Sequence, residues 1–236
     1  MKNLWSDREA RSFVRRYAKE RVNRDRALRV YTSRLLGGEP ALVLHGGGNT
    51  SVKTTMKDVM GQNIEVLCVK GSGWDMAAIE PEGLPAVRLG PLREMVKLKR
   101  LSDEDMVNAQ RVNLLDSTAP NPSVETLLHA FLPHKFIDHT HANAVLSLTD
   151  QKDGEALCRR LFGKKMGYVP YIIPGLDLSR KTLQVYEADP SVQGLILLKH
   201  GIFTFGDTAK HAYSRMIGMV TLAELRLKKG RKKVFT

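Results

Sequence analysis

Apolar and polar residues recur along this chain in patterns that predict both helices and strands. In residues 6–36, alanine, valine, tyrosine and leucine are spaced through an arginine-rich segment, which predicts one long helix. A helix over DEDMVNAQRVNLLD has Ser102 and Asp103 where an N-cap is expected, and another over VETLLHAFLPH follows Pro122 and Ser123. The remaining predicted helices are LREMVKLKRL, stretches near 143–149, 152–162 and 178–187, and a long last helix from Asp207 into RLKKGRKK.

Short apolar runs beside glycine turns predict the strands. ALVL enters the turn HGGGN and precedes a second strand, while IEVLCVK, residues 64–70, alternates in polarity and ends at Gly71-Ser72-Gly73. Residues 136–141, YVPYIIPG and VQGLILLKHG are further predicted strands. Strands and helices mixed without a strict βαβ rhythm indicate a layered α/β fold. No repeat or low-complexity linker divides residues 1–236, so we expect one domain with a basic tail from about residue 226.

The net charge of +12 lies at the two ends of the 236-residue chain. Residues 1–34 carry 11 Lys/Arg against 4 Asp/Glu, and residues 224–236 carry 6 against 1, so residues 35–223 balance at 20 against 20. A basic body would favour a nucleic-acid surface. Basic ends are instead typical of solvated helices or a flexible tail, and we expect no nucleic-acid partner.

The sequence shows no sign of membrane insertion or export. No apolar run is long enough to cross a membrane, and the first residues, MKNLWSDREARSF, lack the apolar core of a signal peptide. Cys68 and Cys158 lie in predicted regular elements and are expected to be buried thiols. These features predict a cytoplasmic protein with no membrane partner.

Three histidines are candidates for a metal site. His139 and His141, in FIDHTHANAV, would point to the same side of a strand, whereas in a helix they would face apart. His200 ends the apolar run LILLKH, where a strand meets a loop. Three imidazoles with one open position are typical of a catalytic zinc site. The alternative is a set of ordinary core or surface histidines.

Two glycine turns and one carboxylate are further candidates. Small residues in HGGGNTSVK and KGSGWD would let backbone N–H groups approach an anion. Taken singly, each is more typical of a tight turn, and neither contains a nucleotide fingerprint. Glu125 lies at the start of a predicted helix. There it either stabilises the helix N-terminus or acts as a base near a metal.

Taken together, these motifs resemble the class II aldolase/adducin family over about residues 28–225. GGGNTSVK, VKGSGWD, NPSVETLLHAFL, DHTHANAV and LLKHGIFTFG occur in the family's order. The resemblance is greatest to the aldolase domain of rhamnulose-1-phosphate aldolase/alcohol dehydrogenase fusion proteins. It implies an α/β/α fold with a central, mostly antiparallel sheet flanked by helices.

The resemblance also assigns roles to individual residues. It implies Zn²⁺ or another divalent metal on His139, His141 and His200, and a catalytic acid/base at Glu125. It implies that a substrate phosphate is bound by Gly48, Asn49, Ser72, Gly73 and Ser123. Val124 stands where the family has a second serine, which removes one hydroxyl from the phosphate site.

The function implied is a metal-dependent aldolase that cleaves a ketose phosphate, such as rhamnulose 1-phosphate, to dihydroxyacetone phosphate and an aldehyde. A sugar-phosphate 4-epimerase or dehydratase would use similar residues, and a non-catalytic adducin-like scaffold would lack the three histidines. The resemblance further implies a homotetramer. No dinucleotide motif is present, so we expect no NAD binding.

Overall fold

A seven-stranded sheet forms the centre of the computed structural model, which describes residues 1–44 and 47–230. The strand order is β3-β2-β1-β4-β7-β6-β5, and every neighbouring pair is antiparallel except β5 and β6. The strands are β1 (Asn49–Lys57), β2 (Asn63–Val69), β3 (Ala86–Arg88), β4 (Phe136–Thr140), β5 (Met166–Val169), β6 (Gly194–Leu197) and β7 (Gly201–Gly206).

Helices cover both faces of this sheet, so the predicted α/β/α architecture is confirmed. Within the described residues they are α1 (Asp7–Ala18), α2 (Arg24–Gly37), α3 (Leu89–Glu94), α4 (Asp103–Val112), α5 (Thr126–Phe131), α6 (Asn143–Thr149), α7 (Gly154–Phe162), α8 (Leu176–Ala188) and α9 (Ala209–Gly230). Helices α1, α2, α6, α7 and α9 pack on one face, and α3, α4, α5 and α8 on the other. No helix in the described part combines the length and apolar character needed to cross a membrane.

The predicted helix over residues 6–36 is wrong, because the chain turns between α1 and α2. Arg21 takes a left-handed backbone conformation with φ of 60°. Asn23 then caps α2, its side chain accepting a hydrogen bond from the backbone N–H of Arg26 at 2.9 Å. The turn folds α1 back on α2, where the rings of Phe13 and Tyr31 lie 5.1 Å apart. Tertiary packing of two short amphipathic helices therefore replaces one long helix.

Two predicted strands also differ from the structure. The ALVL segment forms a turn, and Leu42 and Val43 fill the core beside α6 and α9 instead of joining the sheet. The strand predicted over YVPYIIPG ends at Val169, because Pro170 cannot donate a ladder hydrogen bond. The short β3 and the strand β7 were not predicted as separate elements.

Other local predictions are confirmed by the structure. Ser102 caps α4 by accepting a hydrogen bond from the N–H of Asp105 at 3.0 Å. Cys68 and Cys158 are buried and unpaired. Helix α9 continues to Gly230, so the first part of the predicted basic tail is helical. The rest of that tail, residues 231–236, and residues 45–46 of the first glycine turn lie outside the described residues.

A buried lysine in β1 makes the stability of the fold depend on pH. Lys53 Nζ donates hydrogen bonds to the backbone oxygens of His129 and His134 at 2.7 and 2.9 Å. Burial lowers the pKa of Lys53 from 10.5 to about 7. Between these values the unfolded chain binds the proton and the folded chain does not. This lysine alone therefore raises the free energy of unfolding by up to about 1.4 kcal/mol for each pH unit.

We expect Lys53→Met to flatten this dependence. Urea unfolding of both proteins at pH 7.5 and 9 should show that the free energy of unfolding rises less with pH in the variant. The expected difference between the two rises is about 2 kcal/mol. All other titrating groups are shared by the two proteins. If the free energy of unfolding rose equally with pH in both, Lys53 would have its ordinary pKa in the folded protein.

Candidate active site

Strand β4 places His139 and His141 on the same side of the sheet. Ile137 packs in the core beneath α5 and α8, and side chains two residues apart in a strand share a face. His139 therefore points to that face from the end of β4, and His141 follows directly after the strand. Their Nε2 atoms lie 3.0 Å apart. The strand interpretation of the His-x-His spacing is confirmed.

A tight turn between β6 and β7 brings His200 to the same place. The N–H of His200 donates to the backbone oxygen of Leu197 at 3.1 Å, and Lys199 is left-handed with φ of 58°. Gly201, directly after the turn, passes close to β4. A Cβ atom at Gly201 would lie 2.5 Å from the Thr140 oxygen and 3.0 Å from the ring of His139. Only glycine therefore allows this approach.

The three imidazoles form a group that fits a divalent cation. One nitrogen from each of His139, His141 and His200 can be chosen so that all three lie within 4.8 Å of one another. Burial lowers the pKa of all three, and the two neighbouring histidines lower that of His139 further. Neutral imidazoles keep the lone pair that a metal ion needs.

A hydrogen bond fixes which nitrogen of His139 is free. Its Nδ1 lies 3.2 Å from the backbone oxygen of Ile202, which can only accept, so Nδ1 carries the hydrogen. The lone pair of Nε2 is then directed towards His141 and Glu125. An N–H held by a backbone carbonyl is a common support for a metal-binding histidine.

Glu125 lies beside this histidine group at the start of α5. Its Oε2 is 3.3 Å from His139 Nε2, and its Oε1 is 3.3 Å from His200 Nε2. Asn49 Nδ2 donates to Oε2 at 2.7 Å, whereas Oε1 is buried with no hydrogen-bond partner among the described residues. Burial raises the pKa of Glu125, while His200 and the Asn49 hydrogen bond oppose the rise. A carboxylate with a raised pKa suits proton transfer near neutral pH.

The residues predicted to bind phosphate lie on neighbouring loops. Ser123 donates its backbone N–H to the Lys70 oxygen at 3.1 Å, and Ser72 donates to the Asn121 oxygen at 2.8 Å. These two bonds join the second glycine turn to the segment before α5. Gly73 is exposed and left-handed, with open space where a side chain would stand.

Gly48 directly precedes β1, and Asn49 begins that strand opposite His139 of β4. Gly48 has φ of +66°, and a Cβ there would lie 2.7 Å from the His139 oxygen. Asn49 is buried, and its Nδ2 donates to Ser123 Oγ at 3.0 Å as well as to Glu125. Both amide hydrogens thus point at protein groups, so Asn49 holds the carboxylate and the serine. Its contact with phosphate stays a prediction.

The sequence analysis missed His129, which is fully buried behind Asn49. Its Nε2 lies 2.5 Å from Asn49 Oδ1, and its Nδ1 lies 2.8 Å from Ser51 Oγ. Glu125 and His129 are four residues apart at the start of one helix, a spacing that places side chains on one side. That spacing was the available signal. It was weak, because a histidine in an apolar helix is more often a core residue.

Comparison with known proteins identifies the class. The family described as Class II Aldolase and Adducin N-terminal domain matches residues 27–227. The chain belongs to this family, as its motifs predicted.

The chain is also similar to individual known proteins. The N-terminal class II aldolase domain of a conserved protein from Thermoplasma acidophilum is 38% identical, with a TM-score of 0.86 over 96% of this chain and 99% of that one. An uncharacterized oxidoreductase, YuxG, from Bacillus subtilis (strain 168) is 38% identical over 83% of this chain, which spans only 28% of that relative's length. A sugar-phosphate aldolase from Thermotoga maritima shares the fold, with a TM-score of 0.64 and 18% identity over 86% of this chain and 94% of that one.

Proposed function

We propose that this protein is a divalent-metal aldolase that cleaves a ketose phosphate to dihydroxyacetone phosphate and an aldehyde, as a rhamnulose 1-phosphate aldolase would. The observation that carries the proposal is the contact of Glu125 with two of three clustered neutral imidazoles. A carboxylate suited to proton transfer beside a cation site is what carbon–carbon cleavage next to a carbonyl requires.

His139, His141 and His200 would hold the ion, with zinc as the first choice because three imidazoles and an open position suit it. The fit is supported by the free lone pair of His139 Nε2 and by Glu125 Oε1, which lies 3.3 Å from His200 Nε2 and accepts no hydrogen bond from the described residues. The bound cation would act as a Lewis acid, drawing electron density from the substrate carbonyl and offsetting the negative charge of bond cleavage.

Glu125 would move the proton at the carbon next to the carbonyl. In the cleavage direction that carbon gains a proton when its bond to the aldehyde carbon breaks, and in the synthetic direction it loses one. The hydrogen bond from Asn49 holds one carboxylate oxygen, which leaves the other, Oε1, to exchange the proton. Burial excludes water and strengthens the electrostatic interactions at this carboxylate.

The phosphate end of the substrate would lie on the two glycine turns and Ser123. Asn49 and Ser123 contact Glu125, and Ser72 and Gly73 are exposed on the second glycine turn. Val124 is 54% exposed beside them and offers no hydroxyl. The backbone N–H of Ser72 already donates to the Asn121 oxygen, so we assign phosphate binding to the other backbone N–H groups of the glycine turns and to the hydroxyls of Ser72 and Ser123.

Two finer features of the resemblance belong to the same proposal. The Bacillus subtilis relative is named an oxidoreductase and is longer than this chain, which supports a relationship to aldolase/dehydrogenase fusion proteins. A homotetramer is the assembly that the family resemblance implies. Size-exclusion chromatography with light scattering should give about four times the 26.4 kDa chain mass.

A substrate screen tests this function. Ketose 1-phosphates and 5-phosphates would be incubated with protein loaded with Zn²⁺, Mn²⁺ or Co²⁺, and release of dihydroxyacetone phosphate would be measured. We expect release from a ketose 1-phosphate only with metal present. Inversion at C4 of a 5-phosphate without release would indicate an epimerase. Loss of water from a substrate would indicate a dehydratase, and inertness towards all substrates would indicate a scaffold.

A further inference from the structure

His129 is a buried polar group for which the proposed chemistry has no use. It belongs to α5, is 0% exposed, and packs its ring 5.4 Å from the ring of Phe203. A polar side chain in such surroundings is costly unless its hydrogen-bonding atoms are paired. Both ring nitrogens are paired, to Asn49 and to Ser51. The pairing is specific and leads directly to Glu125.

The partners fix the direction of every hydrogen bond in this chain of contacts. A deprotonated Glu125 can only accept, so the NH₂ group of Asn49 faces it and the amide oxygen faces His129. His129 Nε2 must then carry the hydrogen, since an amide oxygen cannot donate. Its Nδ1 is left as an acceptor, and the hydroxyl of Ser51 donates to it.

The surroundings keep His129 neutral, with one N–H. Burial lowers the pKa of His129 well below its ordinary value, and the nearby charge of Arg29 lowers it further. Lys53 donates to the backbone oxygen of His129, which holds this part of α5 against β1. The ring is therefore fixed in protonation state, in tautomer and in position.

We propose that His129 is a positioning residue that acts through Asn49 on Glu125. Its Nε2–H holds the Asn49 amide in the orientation that presents the NH₂ group to the Glu125 carboxylate. Without this donor the amide is held only through its NH₂ group, by Glu125 and Ser123, so its orientation is less strongly fixed. Whenever it turns over, its oxygen faces the carboxylate oxygen and repels it. The inference rests on the proposed function only where it gives Glu125 the proton-transfer role.

Kinetics of paired variants test the effect on turnover. In the metal-loaded full chain, His129→Leu keeps the bulk and removes the donor, and kcat should fall by about 10- to 100-fold, the usual cost of leaving a buried hydrogen-bond acceptor without its donor. His129→Gln retains an N–H directed at Asn49 and should recover most of that loss. His134→Leu is the matched control and should keep the wild-type kcat, because His134 lies three residues after the end of α5 and stacks on Phe205.

A double-mutant cycle separates positioning from general packing. If His129 acts through Asn49, adding His129→Leu to Asn49→Ala should cause no further loss of kcat. Independent, multiplying losses would overturn the proposal, because they would mean that His129 affects turnover by another route. Failure of His129→Gln to recover turnover would also contradict it.

Nuclear magnetic resonance gives a readout that needs no turnover. Nitrogen-15 shifts of the imidazole should show His129 as the Nε2–H tautomer, and the Asn49 side-chain amide should exchange slowly with solvent. In His129→Leu the resonances of the Asn49 side-chain amide should shift, and its hydrogens should exchange faster with solvent. In His129→Gln both the shifts and the exchange rate should resemble those of the wild type. An unchanged Asn49 amide in His129→Leu, or the Nδ1–H tautomer in the wild type, would overturn the proposal.

These measurements keep the inference distinct from the proposed function. If no ketose phosphate is cleaved but the Asn49 amide responds to His129, the positioning contact stands and the aldolase assignment fails. If His129→Leu does not fold, Ser51→Ala is the substitute, because it removes the donor to Nδ1 and leaves the Asn49 oxygen as acceptor at Nε2. The Nε2–H form should then persist, since the Asn49 oxygen still requires it, and a switch to the Nδ1–H form would overturn the proposal.

Discussion

Replacing Glu125 by glutamine is expected to reduce turnover by about 10² to 10⁴, the usual contribution of a positioned acid/base. Glutamine keeps the shape of the side chain but cannot accept and return a proton. The measurement is the rate of dihydroxyacetone phosphate release from the best ketose 1-phosphate found in the screen, with the same metal loaded in both proteins.

The loss should come from the proton transfer alone. The three imidazoles and the glycine turns are untouched, so metal content and binding of dihydroxyacetone phosphate should stay close to those of the wild type. Ser123→Ala is a useful comparison, because removing a proposed phosphate ligand should weaken substrate binding more than it lowers kcat. Wild-type turnover in Glu125→Gln would remove this residue from the reaction.

Replacing any one of His139, His141 and His200 by alanine is expected to abolish stable metal binding. Two remaining imidazoles leave the ion with too few protein ligands. Loss of a residue that only hydrogen-bonds to a ligand usually lowers metal affinity about 10- to 100-fold, so loss of a ligand itself should lower it more than about 100-fold. Elemental analysis after dialysis should give about one divalent ion per wild-type chain and close to none in each variant.

His211→Ala provides the control for these substitutions. His211 is exposed on α9 and lies outside the metal-binding group, so its removal should leave the metal content unchanged. His141 and His200 are both partly exposed, so loss of either should disturb the core less than loss of the buried His139. Full occupancy in His141→Ala would exclude it as a ligand.

Local spacing was sufficient to predict the centre of the candidate site. His139 and His141 stand two apart after a short apolar run, and strand geometry alone puts them on one side. Glu125 follows Pro122 and Ser123 at a helix start, where the structure places it. Both features depend only on residues that are close together in the chain, so the sequence alone is enough to recognise them.

Features that depend on distant contacts were not predictable in the same way. The ALVL segment is as apolar as a strand, yet Leu42 and Val43 pack in the core beside α6 and α9 and do not join the sheet. The division of residues 6–36 depends on the packing of Phe13 against Tyr31, although Asn23 was a visible capping signal. Gly201 matters only because Thr140 and His139 lie against it, which needs the pairing of β4 with β7.

His129 shows the same limit within the site itself. Its partners Ser51 and Asn49 are 78 and 80 residues away in the chain, so only the folded sheet brings them together. The sequence shows a histidine in an apolar helix and does not show what its ring nitrogens contact. A hydrogen-bond network of this kind is defined by tertiary structure.

Exchange of hydrogen between dihydroxyacetone phosphate and deuterated water tests the central claim most directly. It isolates the proton transfer proposed for Glu125 and requires neither the aldehyde partner nor the stereochemistry of the full substrate. The metal-loaded protein is predicted to exchange one carbon-bound hydrogen stereospecifically, the metal-free protein not at all, and Glu125→Gln about 10² to 10⁴ times more slowly. Absence of exchange with metal-loaded wild-type protein, or exchange at the wild-type rate in Glu125→Gln, would contradict the proposed reaction.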